Sequence, residues 1–110
     1  MAAEITYDDF AKLDIRIGTI IAAEKIADTD KLIKCTIHFG ELGTRIIVSG
    51  IAEWKTPESL VGKQCPYIVN LAPRVLRGVE SQGMLLAGSD ENGVALMHPE
   101  RAVAPGTKIK

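Results

Sequence analysis

Aromatic side chains are scarce: two Phe, two Tyr and one Trp make up about 5% of 110 residues. A platform for stacking unpaired bases needs exposed aromatics on its binding strands, so a broad single-strand binder is not expected. Cysteine is limited to Cys35 and Cys65, far apart and in separate apolar stretches. That arrangement lacks the spacing of a zinc knuckle or a redox pair and reads as two reduced core thiols. The two histidines, His38 and His98, have no cysteine or second histidine close in sequence, so no metal site is expected.

Long apolar runs are missing too. Nothing approaches the roughly 18 residues of a membrane span, and the opening MAAEITYDDFAKLD carries acids where a secretory signal carries bases. A cytoplasmic protein with no membrane partner is expected. Catalytic signatures are absent: the chain has no GxxxxGK[ST], no GxGxxG after a strand, no HExxH and no GxSxG. Asp8 with Asp9, and Asp90 with Glu91, are adjacent in sequence and point apart, which suits a helix start and a turn rather than general acid-base work. Neither an enzyme nor a bound cofactor is expected, and no residue is assigned a catalytic role.

What is present is a single-domain composition, 46% hydrophobic and 25% charged over residues 1–110, enough for one core. The net charge of -1 conceals an asymmetry. Residues 1–30 hold three basic against seven acidic side chains, whereas residues 31–77 hold seven basic (Lys31, Lys34, Arg45, Lys55, Lys63, Arg74 and Arg77) against three acidic. A fold that gathers those bases on one face would offer a positive patch to a polyanion.

Periodicity gives the elements. TYDDFAKLD reads as a short helix capped by Thr6, with Tyr7, Phe10 and Leu13 at helical spacing. IRIGTIIAAE reads as a long strand with a bend or bulge at Gly18. KLIKCTIHF alternates apolar Ile33, Cys35, Ile37 and Phe39 with polar residues, and GELG turns it into TRIIVSG. Thr56, Pro57 and Gly62 cap, open and end a helix of one or two turns. QCPYIVNL and SQGMLLAG are the next strands, and Asn92-Gly93 suits a turn with positive φ. Three strands, a short helix and two more strands, with extra pieces at both ends, is the order of an all-β, five-stranded Greek-key barrel of the OB type. An SH3-like barrel or a small sandwich fits the same pattern.

Between the last two strands lies NLAPRVLRGVESQG. Pro73 removes a backbone donor and holds its predecessor extended, so Arg74 and Arg77 are expected on a stiff loop. Arginine forks match phosphate oxygens, Gly78 and Gly83 allow close approach, and Ser81 and Gln82 add hydrogen-bonding groups. An ordinary charged loop joining two strands satisfies the same residues. Trp54, in AEWKTPE, is expected to pack over the short helix, with exposure as the alternative.

The segments DFAKLDIRIGTI, DTDKLIKCTIHFG, IVSGIAE, ESLVGK, NLAPRVLRGVESQGMLLA and HPERAVAPGTKI together resemble the dimeric tRNA-binding OB domain. That module occurs free-standing and at the C-terminal end of bacterial methionyl-tRNA synthetases and, in related form, in eukaryotic synthetase-associated cofactors. The family's Asn, Leu, Pro, Arg, Leu, Arg-Gly, Ser, Gly-Met pattern is met by Asn70, Leu71, Pro73, Arg74, Leu76, Arg77, Gly78, Ser81, Gly83 and Met84. The resemblance implies an OB barrel, a homodimer, and non-catalytic binding of the folded tRNA body. Lys31, Ser49, Asn70, Arg74, Arg77, Ser81 and Met84 fall where the family's nucleic-acid surface lies. The helix around Phe10 and the tail from Pro99 to Ile109 are the implied dimer contacts. With no catalytic domain ahead of that helix, a free-standing auxiliary or tRNA chaperone, working beside an aminoacyl-tRNA synthetase, is expected. A sister branch with the same fold resembles a secretion-related chaperone that binds unfolded peptides, and it supplies the alternative.

Overall fold

In a computed structural model that describes residues 2–110, helix α1 (Tyr7–Ala11) opens the chain. Thr6 caps it through a reciprocal box: its side chain accepts from Asp9 N–H, and the Asp9 carboxylate accepts from Thr6 N–H. Then come strands β1 (Ile15–Lys25), β2 (Ile33–His38) and β3 (Thr44–Ser49). Helix α2 (Pro57–Leu60) follows, capped by the Thr56 side chain, and β4 (Gln64–Ile68) follows that. The rest of the chain forms β5 (Arg74–Leu76), β6 (Val79–Ser81), β7 (Met84–Leu85), β8 (Ala87–Asp90) and β9 (Gly93–Leu96).

Five strands make one antiparallel sheet in the order β3-β2-β1-β4-β7. The sheet curls until its ends meet, because β3 lies against the chain between β6 and β7. Gln82 N–H donates to Ile46 C=O at 2.8 Å, and the Gln82 side-chain oxygen accepts from Ile46 N–H at 3.0 Å. The result is an all-β barrel of the OB type. Alternation along each strand puts Ile33, Ile37, Ile47, Cys65 and Tyr67 inside, each almost fully buried, and Leu60 of α2 plugs one end. Burying side chains of this kind contributes about 1.5–3 kcal/mol each before the entropy of ordering them is counted. Phe39 and Tyr67 meet edge to face with centroids 5.5 Å apart.

The bend expected at Gly18 lies further on, where the β1–β2 register shifts between Ile20 and Ala22. Gly18 answers to crowding instead: a Cβ there would lie 2.4 Å from Ile37 Cγ2 and 2.6 Å from a Phe39 ring carbon. β2 covers β1 only from Thr19 onward, and the C-terminal tail takes the edge left at residues 15–17. Ile17 N–H donates to Thr107 C=O at 2.8 Å, Gly106 N–H to Ile17 C=O at 2.7 Å, and Ile109 N–H to Ile15 C=O at 2.8 Å.

Other expectations are revised as well. SQGMLLAG is not one strand, since Gly83 (φ 150°) breaks it between β6 and β7 and the chain turns again before β8. Only Gly93 of the Asn92-Gly93 pair has positive φ, at 114°. Trp54 rests against Gly93, where a Cβ would meet its ring at 2.4 Å, and stays 46% exposed. Cys35 and Cys65 are buried and unbridged, and burial raises each thiol from the ordinary 9.0 to about 11.

Candidate nucleic-acid interface

The segment around Arg74 and Arg77 is a hairpin rather than a loop. Strands β5 and β6 pair as Arg74↔Ser81, Val75↔Glu80 and Leu76↔Val79, leaving Arg77-Gly78 as a two-residue turn. Both turn residues have positive φ, 51° and 80°, as a type I′ turn requires. Asparagine is the easy residue at the first of these positions, whereas a long side chain there costs about 1–2 kcal/mol of backbone strain. The arm thus carries an arginine at its tip against local preference. Such strain is a pointer to function.

Arg74 stands at the base of the arm, exposed and directly opposite Ser81. Among the described residues neither Arg74 nor Arg77 forms an ion pair or a side-chain hydrogen bond. Two other bases of the middle segment are engaged elsewhere. Lys34 pairs with Glu24 at 3.4 Å, and Arg45 donates to the Val69 carbonyl. Lys63 precedes β4 while the arm follows it, so the two stand at opposite ends of that strand. The basic middle is therefore not one patch, and the arm carries two unengaged guanidinium groups of it.

Two of the expected contact residues hold the arm in place. Ser81 is 5% exposed, and its hydroxyl accepts from Val48 N–H at 2.9 Å. The Asn70 amide spans the arm's root, accepting from Asp14 N–H at 2.8 Å and donating to Lys12 C=O at 2.7 Å. Both its oxygen and its NH2 group take part in this clamp. Arg74, Ser81 and Met84 line one small cleft together with Leu71, Leu76 and Val48. Ser49 and Met84 line the groove next to it. Lys31 is exposed at the β1–β2 connection, and its carbonyl accepts from Ala52 N–H at 3.1 Å, just beyond Ser49 and β3. Arg74, Ser81, Met84 and Ser49 thus share walls, Arg77 projects from the arm, and Asn70 turns toward the α1–β1 junction. Missed from sequence were Val75, 70% exposed on the arm, and Glu80 opposite it. The alternation in RVLRGVES held that signal, but the proline and glycine masked the strands.

The remaining ionisable groups offer little chemistry. His98 Nδ1 lies 2.7 Å from Gln64 C=O, and among the described residues no group of three or more His, Cys, Asp and Glu is placed to hold a metal ion. No helix among them is long and apolar enough to cross a membrane.

Residues 15–108 match the family described as "Putative tRNA binding domain". The chain belongs to that family. As a tRNA-binding family member it is 49% identical over 111 residues to a methionine–tRNA ligase of Porphyromonas gingivalis, a match covering 100% of this chain and 16% of the ligase. The chain therefore spans about a sixth of the length of that relative. Among solved structures it is similar to a MetRS-related protein from Pyrococcus horikoshii, with 40% identity and a TM-score of 0.92 over 99% of this chain and 100% of the other. It is also similar to the chaperone CsaA of Bacillus anthracis, with 35% identity and a TM-score of 0.90 over 98% and 100%. The similar structures thus include both a synthetase-related protein and a chaperone, while the family that the chain matches is described as a tRNA-binding domain.

Proposed function

We propose that residues 1–110 form one domain that binds folded tRNA without catalysis, through backbone and shape, as a cytoplasmic auxiliary or tRNA chaperone beside an aminoacyl-tRNA synthetase. The observation that carries this reading is the pair of unengaged arginines on a stiff two-strand arm, one of them kept at a strained turn position. Bidentate guanidinium–phosphate contacts lose less entropy when the arginines are already positioned. Ser49 and Met84 beside the arm and the exposed Lys31 extend the contact, while Asn70 and Ser81 act on it indirectly by fixing the arm.

The homodimer belongs to the same proposal. Helix α1 buries no residue, Ile5 and Tyr7 are 66% and 77% exposed, and Tyr7 and Phe10 contact each other at 6.4 Å. Exposed apolar side chains on and beside a helix that buries none of its residues are what a second copy would cover. A light-scattering mass of one chain per particle would overturn this part.

The test is titration against bulk folded tRNA at low and moderate salt, comparing the unmodified protein with Arg74→Ala plus Arg77→Ala. If about four phosphates are neutralised, affinity falls roughly a hundredfold between about 50 and 200 mM salt, and the double variant binds more weakly with a shallower slope. Salt-insensitive association, or equal binding by the variant, points instead to the peptide-binding chaperone reading.

A further inference from the structure

Beside the arginine cleft runs a second groove, between the Ser49–Ile51 segment and the chain from Met84 to Ser89. The two depressions share Val48 and Met84 as a common wall. Their chemistry differs sharply. The arginine cleft carries a guanidinium, whereas the groove has no charged residue in its lining, which sets Ser49, Gly50, Gly88 and Ser89 beside apolar Ile51, Leu85 and Val94.

Resting on the tRNA-binding reading, we infer that this groove takes one unpaired base of the RNA whose phosphate is held by Arg74. Three observations lead there. The lining is uncharged and partly apolar, so a flat uncharged ring can enter it without desolvating a charge. Met84 is 44% exposed on the shared wall, and its polarizable thioether offers a face to a heterocycle where an aromatic would otherwise be used. The hydroxyls of Ser49 and Ser89 make no hydrogen bond among the described residues. The neighbouring polar side chains of Ser81, Gln82 and Asn70 each make at least one hydrogen bond. Two free hydroxyls in an uncharged groove are available to a base edge, which is rich in donors and acceptors.

A paired base has its hydrogen-bonding edge occupied and its faces stacked, so only an unpaired nucleotide can enter. The arm then supplies the sequence-independent grip and the groove supplies a requirement for an unstacked residue in the right place. Recognition becomes selective for a kind of RNA structure rather than for total negative charge.

The probes are a blunt-ended RNA hairpin and the same hairpin carrying a short single-stranded 3′ overhang. The unmodified protein should prefer the overhang by about tenfold, within the range one stacked base supplies. Gly50→Leu with Gly88→Leu fills the groove. Neither position has left-handed φ, and a Cβ would meet nothing nearer than 4.0 Å at Gly50 and 3.7 Å at Gly88. This variant should bind both hairpins alike, at the blunt affinity and with the unmodified salt slope. Should it fail to fold by thermal melting, Ser49→Ala with Ser89→Ala should cut the preference severalfold. Equal binding of the two RNAs by the unmodified protein, or a preference that survives substitution, overturns the base site while leaving the arginine grip standing. No binding to either hairpin while bulk folded tRNA still binds also overturns the base site, and no binding to folded tRNA overturns the tRNA reading with it.

Discussion

The Ser81 hydroxyl accepts a hydrogen bond from the Val48 backbone N–H at 2.9 Å, across 33 residues of sequence. A side chain replaces a ladder carbonyl at the seam of the barrel, and the same bond anchors the end of the arm opposite Arg74. Ser81→Ala leaves a buried N–H without its acceptor, which costs about 1–3 kcal/mol. Denaturant midpoints at an unchanged m-value should register that loss. Affinity for tRNA should drop with it, through a loosened Arg74.

Arg77 separates function from stability. Arg77→Asn places a residue that tolerates left-handed backbone ahead of Gly78, the favoured pair for this turn. The variant should melt at the same temperature as the unmodified protein or up to a few degrees higher, yet bind tRNA more weakly. A lowered melting point together with unchanged binding would make Arg77 a structural residue.

Glu80 is the one acid on the arm, exposed and without an ion-pair partner among the described residues. Its charge opposes the phosphates that the arginines attract. Glu80→Gln should tighten tRNA binding severalfold at low salt, with the gain shrinking as salt screens the interaction. Filter binding at two ionic strengths decides the matter, and weaker binding by the variant would place the RNA elsewhere.

Alkaline pH should unfold the protein through its core thiols. Burial raises Cys35 and Cys65 from 9.0 to about 11, and burial also raises Tyr67 well above its ordinary value. A pKa raised in the folded state means stability that is complete below the unfolded value and lost as pH rises through the folded one. Thermal melts should therefore hold level up to about pH 9 and fall between about 9 and 11. Cys35→Ala with Cys65→Ala should flatten part of that fall.

The barrel was legible because its cause is local and periodic. Ile33, Cys35 and Ile37 alternate without interruption, and Thr56-Pro57 marks a helix start by chemistry that needs no partner. The arm was legible as arginines beside glycine but not as strands, since Arg74–Leu76 and Val79–Ser81 are three residues each and derive their pairing from the turn between them. The roles of Ser81 and Asn70 were hidden for a different reason. Their partners, Val48 and the pair Asp14 and Lys12, lie 33 or more residues away, and no spacing in the sequence announces a bond that only barrel closure creates. Gly18 shows the same limit, its need set by Ile37 and Phe39 on the next strand.

The tail bonded along β1 brings Ile109 beside Ile15, so the family-matching stretch of residues 15–108 begins and ends side by side. A polypeptide entering and leaving at one place can be spliced into a surface loop of a host protein or hung from its end with little distortion of either partner. That geometry suits a portable cassette, in keeping with a relative in which the matching region fills only 16% of the chain.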